Sequence, residues 1–300
     1  NGLVKQMRIG YACINMSIGC SSARTFRLKS YTEPRLIATI QENLQCLRRI
    51  IRFNLENNIL FFRITSDLIP FASHPIMKVD WKSLFSDELS EIGELAVSAG
   101  MRLSMHPGQY TVLNSTSDSV YRNALADLQY HCDILDLMNL GPDAKVQIHI
   151  GGVYGDKEAS LQRFAERYDL LDKTISRRLV VENDDHSYTQ KDCMFLSELT
   201  GIPVVFDNLH HDVLNHGESI RDSLKRSAAT WTKREGPPIV HYSSQSPTGR
   251  PGKHAATLDT NDFADFLQRT RDIGYDLMIE IKDKDISALK ALRILDRIHA

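Results

Sequence analysis

Hydrophobic and polar positions along the chain alternate between two periods. Short runs rich in β-branched and aromatic residues recur at 7–15, 59–66, 102–106, 145–150, 178–183, 203–207, 238–243 and 276–281. Several are almost wholly apolar, as strands buried on both faces must be. Between them a 3.6-residue period predicts helices over 34–57, 86–99, 117–138, 157–176, 190–199, 219–230, 260–273 and 286–298. In the first of these, Leu36, Ile40, Leu44, Leu47 and Ile51 fall on one stripe behind a starting Pro34. Gly100 supplies a C-cap for the second. Eight strands, each followed by a helix, predict a (β/α)₈ TIM barrel; a doubly wound open sheet is the rival, since periodicity does not reveal closure. No linker interrupts the pattern, so one domain is expected over 1–300, with 1–6 as a disordered tail.

The chemistry follows from where metal-capable side chains fall in that pattern. Barrel enzymes carry their working residues at the C-terminal ends of strands and in the loops just beyond. His74 follows the second strand, His106 ends the third, His149 the fourth, Glu182 the fifth and Glu280 the eighth. Asp207 ends the sixth with His210 three residues on, His241 lies in the seventh, and His254 follows it. One histidine in a strand is ordinarily a satisfied core residue. A carboxylate inside an apolar strand, as Glu182 and Glu280 are, is costly unless something offsets its charge. So many ligand types at one end of seven consecutive units point to a metal site. They exceed the three protein ligands of a single catalytic ion, so two or three divalent ions are expected. Imidazole and carboxylate without thiolate fit Mn²⁺ or Zn²⁺ better than Mg²⁺ or Ca²⁺, and do not choose between the first two. Such clusters clamp attacking and leaving oxygens in phosphoryl displacement.

Composition narrows the class. The 300 residues are 42% hydrophobic and 25% charged with no biased tract, which describes an ordinary globular chain. Net charge is −2, so no global basic footprint advertises nucleic acid, although carboxylates neutralised by metals would leave the surface more positive. No apolar run reaches the length of a membrane span, and no signal peptide is visible, which predicts a cytoplasmic protein. The five cysteines (Cys13, Cys20, Cys46, Cys132, Cys193) are scattered and odd in number. They are expected to be reduced, buried and unpaired.

At the candidate ligands the chain resembles the UV damage endonucleases and, more distantly, the endonuclease IV type of abasic-site nuclease. The likeness rests on His106-Pro107-Gly108-Gln109-Tyr110, His149-Ile150-Gly151-Gly152, Glu182-Asn183-Asp184-Asp185, Phe206-Asp207 with its paired histidines, His241-Tyr242-Ser243-Ser244 and Met278-Ile279-Glu280-Ile281-Lys282. Tyr11, Asn15 and Ile92-Gly93-Glu94-Leu95 add to it. The resemblance implies a TIM barrel holding three manganese ions and cutting duplex DNA immediately 5′ to a UV photoproduct, leaving a 3′-hydroxyl and a 5′-phosphate. It implies that Glu182 bridges ions with His106 and His74 on one side. Asp207, His241 and Glu280 would hold a second ion, and His210 (or its neighbour His211) with His254 a third. His149 would lie in or beside the cluster. One departure stands out: relatives often carry a lysine two residues before the strand-seven histidine, where this chain has Ile239.

The expected partner is therefore UV-damaged double-stranded DNA, bound by a monomer associated with the nucleoid. Gln109 and Tyr110 offer an amide and a planar ring to fill the gap left by an extruded lesion, whose weakened pairing lowers the cost of extrusion. Tyr11 and Asn15 are candidates to touch the extruded bases. Glu182, His149 and Lys282 are the catalytic candidates; Lys282 either approaches the phosphate or is simply solvated. Arg24, Arg27 and Lys29 after strand one, and Arg250 and Lys253 after strand seven, either meet phosphates or are solvated loop residues. A xylose-isomerase-like sugar isomerase and an abasic-site endonuclease are the competing functions.

Overall fold

The eight apolar runs form eight parallel strands: β1 (Ile9–Ala12), β2 (Phe61–Ile64), β3 (Arg102–Met105), β4 (Lys145–His149), β5 (Leu179–Glu182), β6 (Val204–Asp207), β7 (Ile239–Tyr242) and β8 (Asp276–Ile279). Each pairs with the next, and β8 closes on β1 through the register Gly10↔Met278, which excludes the open-sheet rival. The computed structural model describes residues 7–299, so the expected tail at 1–6 lies outside the described residues.

Eight barrel helices cover the outside: α1 (Glu33–Glu56), α2 (Ser86–Ser98), α3 (Asp118–Leu137), α4 (Lys157–Asp169), α5 (Gln190–Thr200), α6 (Ile220–Ala228), α7 (Thr260–Thr270) and α8 (Asp285–His299). Thr32 caps α1 by accepting from the Arg35 amide, and Pro34 sits in its first turn. The predicted stripe Leu36, Ile40, Leu44, Leu47 and Ile51 is wholly buried against the barrel wall. None of the described helices is long and apolar enough to cross a membrane.

Successive strand residues face opposite sides of the sheet, so residues two apart share a face. Ala12, Phe61, Val180, Val205, Ile239 and Met278 form a small apolar plug of their own, separate from the main core between barrel and helices. Directly above members of that plug, two residues on, stand Arg63, Glu182, Asp207, His241 and Glu280. Ile239 therefore belongs to the floor beneath the cluster. At the opposite, N-terminal end, Arg102, Lys145 and Asp276 are buried and plug the barrel bottom. Gly10 allows β1 to meet β2: a Cβ there would lie 1.8 Å from the Phe61 carbonyl oxygen.

One expectation fails. Cys20 and Cys46 are disulfide-bonded, with Cα atoms 5.9 Å apart across 26 residues, while Cys13, Cys132 and Cys193 are free. The pairing was hidden because α1 runs back beside the loop after β1, a contact that cysteine spacing does not encode. The bond ties that basic loop to the first helix.

Candidate metal centre

The upper ends of β3 to β8 converge on Glu182, which is almost completely buried. Its Oε1 accepts from His241 Nδ1 at 2.7 Å. Its Oε2 lies 3.5 Å from His149 Nε2 and 3.7 Å from His106 Nε2, and also accepts from Gln147 Nε2. His241 Nδ1 is 3.1 Å from Glu280 Oε1 and 4.0 Å from Asp207 Oδ2. His210 Nδ1 lies 3.8 Å from Asp207 Oδ1 and donates to the Asn183 carbonyl at 2.9 Å, so Nε2 is the ring nitrogen that would meet an ion once its proton is displaced. Three overlapping donor groups result: His106–His149–Glu182, Glu182–Asp207–His210 and Glu182–His241–Glu280, the atoms of each within 4.8 Å of one another. Glu182 is common to all three.

The fit to cations rests on what these atoms lack. Asp207 Oδ2 is buried with no hydrogen-bond donor, and the Nδ1 atoms of His106 and His149 are likewise buried without a partner. An orphaned buried carboxylate oxygen is expensive unless a positive charge meets it. Burial pushes the Asp207 carboxyl upward, and Glu182 and Glu280 add to that shift through the negative charge packed here. Burial also raises Glu182, but His241, His149 and His210 outweigh it and hold the carboxyl well below its usual range. His106 is driven down to about 3 by burial, Arg63 and His149, so it is neutral and its nitrogen lone pair is available to a metal. For His210 burial acts downward, yet Asp207, Glu182 and Glu280 lift it to about 9.

The predicted residues divide cleanly. His106, His149, Glu182, Asp207, His210, His241 and Glu280 come together. His211 turns away, its Nε2 bonded to the Glu218 carbonyl at 3.0 Å, which makes His210 the member of the pair in the cluster. His74 is not part of it: the ring is exposed in the loop after β2, with Nδ1 accepting from the Ile76 amide at 3.1 Å. In the turns over 71–77 its ring packs edge-on against Phe71, so a histidine that follows β2 in sequence stays outside the three donor groups. His254 belongs to none of the three groups either. Its Nδ1 donates to the Glu280 carbonyl, and it lines an adjoining cavity of about 430 Å³ with Arg63, Arg250, Lys253, Glu280 and Lys282.

Tyr11 and Asn15 also depart from expectation. The Tyr11 ring points away from the lumen, packs edge-on against Phe62, and donates to Asn54 Oδ1 at 2.7 Å while accepting from Asn15 at 2.7 Å. A strand residue facing α1 is sequestered between the layers, so this pair fastens the first loop instead of lining the mouth. Arg24, Arg27 and Lys29 are exposed on that loop, with Arg24 held 3.4 Å from Glu42.

Gln109 and Tyr110 are exposed at the rim, Tyr110 to 81%. A groove of about 530 Å³ on one side of this loop is lined by His106, Gln109, His149, Asp185 and His210. A second concavity of about 470 Å³, lined by Thr25, Phe71, Gly108 and Asp127, has Tyr110 in its own wall. The ring thus stands as a ridge between two hollows. Gly151, at φ +114°, lets the β4 loop pass the groove wall: a Cβ there would meet Asn114 Oδ1 at 2.4 Å.

Two functional candidates went unpredicted. Arg63 in β2 donates through Nη2 to Glu280 Oε1 and lies 3.2 Å from His241 Nε2. Gln147 in β4 bridges Glu182 and His241. The signal for Arg63 was present: it sits in Phe61-Phe62-Arg63-Ile64 just as Glu182 sits among apolar neighbours.

Comparison with known proteins agrees with this geometry. The model of the UV-endonuclease UvdE family matches residues 7–300. A protein named UV DNA damage endonuclease from Clostridium perfringens is 36% identical over 295 residues, covering 98% of this chain and 72% of that relative. The crystal structure of SacUVDE superposes with a TM-score of 0.94 at 45% identity, covering 98% of this chain and 99% of the other. Endonuclease IV from Thermus thermophilus shares the fold, with a TM-score of 0.58 at 18% identity over 84% of this chain and 93% of the other.

Proposed function

The chain belongs to the UvdE family of UV endonucleases, and from that premise we propose that it incises duplex DNA at the phosphodiester immediately 5′ to a UV photoproduct, leaving a 3′-hydroxyl and a 5′-phosphate. Cyclobutane pyrimidine dimers and 6-4 photoproducts are the substrates, and the product ends start excision repair. The enzyme works as a monomer, in the cytoplasm, on a single barrel domain.

One observation carries the reading: the loop 106–111 sets His106 and Gln109 in one groove and raises an exposed Tyr110 between that groove and a second hollow. His106, His149, Glu182, Asp207 and His210 are the residues suited to hold divalent ions, with His241 and Glu280 packed against them; the imidazole–carboxylate donor set fits manganese or zinc, and manganese is what the family resemblance implies. When bound, such ions supply Lewis-acid charge to a phosphate undergoing displacement. The chain's own side chains do the rest. Glu182 keeps the donor groups in register through its bonds to His241 and Gln147. Tyr110 takes the space of an extruded dipyrimidine by stacking, and the Gln109 amide offers a donor and an acceptor to the orphaned bases. Arg250, Lys253 and Lys282, grouped at the cavity beside Glu280, hold backbone phosphates flanking the cut. Arg24, Arg27 and Lys29 extend that track along the rim. Backbone contacts of this kind supply affinity without a globally basic protein.

A sugar isomerase needs an enclosed small-molecule pocket, and the hollows on either side of an exposed Tyr110 do not suit one. Supercoiled plasmid, UV-irradiated or untreated, incubated with the protein and Mn²⁺ tests the proposal. Damage-dependent nicking that EDTA abolishes is expected, and an apurinic plasmid in a parallel arm reads the abasic-site alternative. Equal nicking of both plasmids, or none, overturns it.

A further inference from the structure

Each nitrogen of His241 already has a partner of fixed character. Nδ1 lies 2.7 Å from Glu182 Oε1 and 3.1 Å from Glu280 Oε1, two acceptors nearer than the Gln147 amide nitrogen at 3.4 Å, so this nitrogen carries the proton. Nε2 lies 3.2 Å from Arg63 Nη2. A guanidinium donates and never accepts, so Nε2 spends its lone pair on Arg63. For His241 to bind an ion through Nδ1, the proton would have to move to Nε2, setting two N–H groups face to face in a buried space. Arg63 also donates to Glu280 Oε1, the carboxylate oxygen of the same donor group that faces His241.

We infer that Arg63 is a resident cation of the cluster, a positioning residue that takes the ground of a third ion. The Glu182–His241–Glu280 group is thereby closed to metal, and His241 is a hydrogen-bond bridge instead of a ligand. The other two groups, His106–His149–Glu182 and Glu182–Asp207–His210, share only Glu182 and make no hydrogen bond to Arg63 among the described residues. The site is therefore left with two groups that would hold divalent ions, and Glu182 belongs to both. The charge balance points the same way. Three carboxylates already face one permanent guanidinium charge, and a third divalent ion beside Arg63 would add like-charge repulsion where water cannot screen it.

This inference rests on the cluster's being a metal site and not on the DNA-cleaving reading. The experiment is metal stoichiometry on the whole chain, stripped with EDTA and titrated with Mn²⁺, with bound ions per chain measured by mass spectrometry and by loss of the free-ion magnetic resonance signal. The wild type is expected to bind two ions, and Arg63→Lys, which keeps the charge, also two. Arg63→Met, checked by circular dichroism for a native fold, opens the closed group and binds three. His241→Gln, removing a bridge but no ligand, stays at two. Three ions in the wild type, or a fall to one in His241→Gln, overturns the assignment. If Arg63→Met does not fold, the wild-type and His241→Gln counts decide the matter. No bound ion in any form instead refutes the metal site itself, and the assignment with it.

Discussion

Replacing Arg102 with methionine tests whether the two ends of the barrel divide stability from chemistry. The Arg102 side chain is completely buried at the start of β3. It lies 3.0 Å from Asp276, donates to the Pro237, Asp143 and Glu235 carbonyls at 2.6, 2.9 and 3.0 Å, and stacks over Phe61 and Trp231. Methionine conserves much of the apolar stem but leaves Asp276 to the partly exposed Arg8 and strands three carbonyls. Removing one partner of a buried pair costs about 3–5 kcal/mol. At ~2.1 cal/mol/K per residue, the unfolding entropy of a 300-residue chain converts that to a fall in Tm of about 5–8 °C. Thermal and urea unfolding by circular dichroism, on Arg102→Met, Asp276→Leu and the double variant, gives the cycle. Removing both charges together should cost at least ~1.5 kcal/mol less than the two single losses summed. Bound metal and nicking at 25 °C should match the wild type, because this pair lies at the opposite end of the strands from Glu182. Strict additivity, a Tm loss under 2 °C, or lost metal would refute the reasoning.

Other consequences can be checked separately. Tyr110→Ala should reduce the preference for damaged over intact DNA by about 5- to 150-fold, the worth of one stacking contact of ~1–3 kcal/mol, while leaving metal binding intact; competition nicking assays measure it. In the metal-free protein the His106 pKa is depressed to about 3, so its contribution is full above its unfolded value and is lost as pH falls from ~6.5 toward 3. His210 is raised to about 9, so its contribution is full below ~6.5 and is lost as pH rises through 9. Urea unfolding of the EDTA-treated protein across pH should show a flattened acid limb in His106→Gln and a flattened alkaline limb in His210→Gln. Reduction of Cys20–Cys46, which closes a 26-residue separation, should cost about 3–4 kcal/mol by loop entropy, read as a lower urea midpoint with dithiothreitol.

Most of the architecture was legible because each strand and helix carried its own period, and closure followed from eight repeats of one unit. The ligands were legible for a related reason: a carboxylate in an apolar strand has no inexpensive explanation. The same logic applies to Arg63, Arg102 and Lys145, whose buried charges in strands need a partner just as the acids do. His74 and His254 show the opposite limit. Both lie in loops, where sequence position after a strand does not fix direction, and neither joins the cluster. Tyr11 was misplaced by one step of strand alternation, which sends a ring outward to Asn54 instead of into the lumen. The Cys20–Cys46 bond depends on how α1 packs beside a loop, a tertiary fact with no local signature.

Incision at a defined bond beside a defined lesion is what sets the proposed activity apart from general nuclease cleavage. A duplex carrying one cyclobutane thymine dimer, labelled at the 5′ end of the damaged strand and incubated with the Mn²⁺-loaded protein, tests it most directly. One product is expected, ending at the nucleotide immediately 5′ to the dimer and extendable by a polymerase from its 3′-hydroxyl, with no product from the undamaged duplex or with Glu182→Gln. A cut 3′ to the dimer, a non-extendable end, or the same product from undamaged DNA would contradict it.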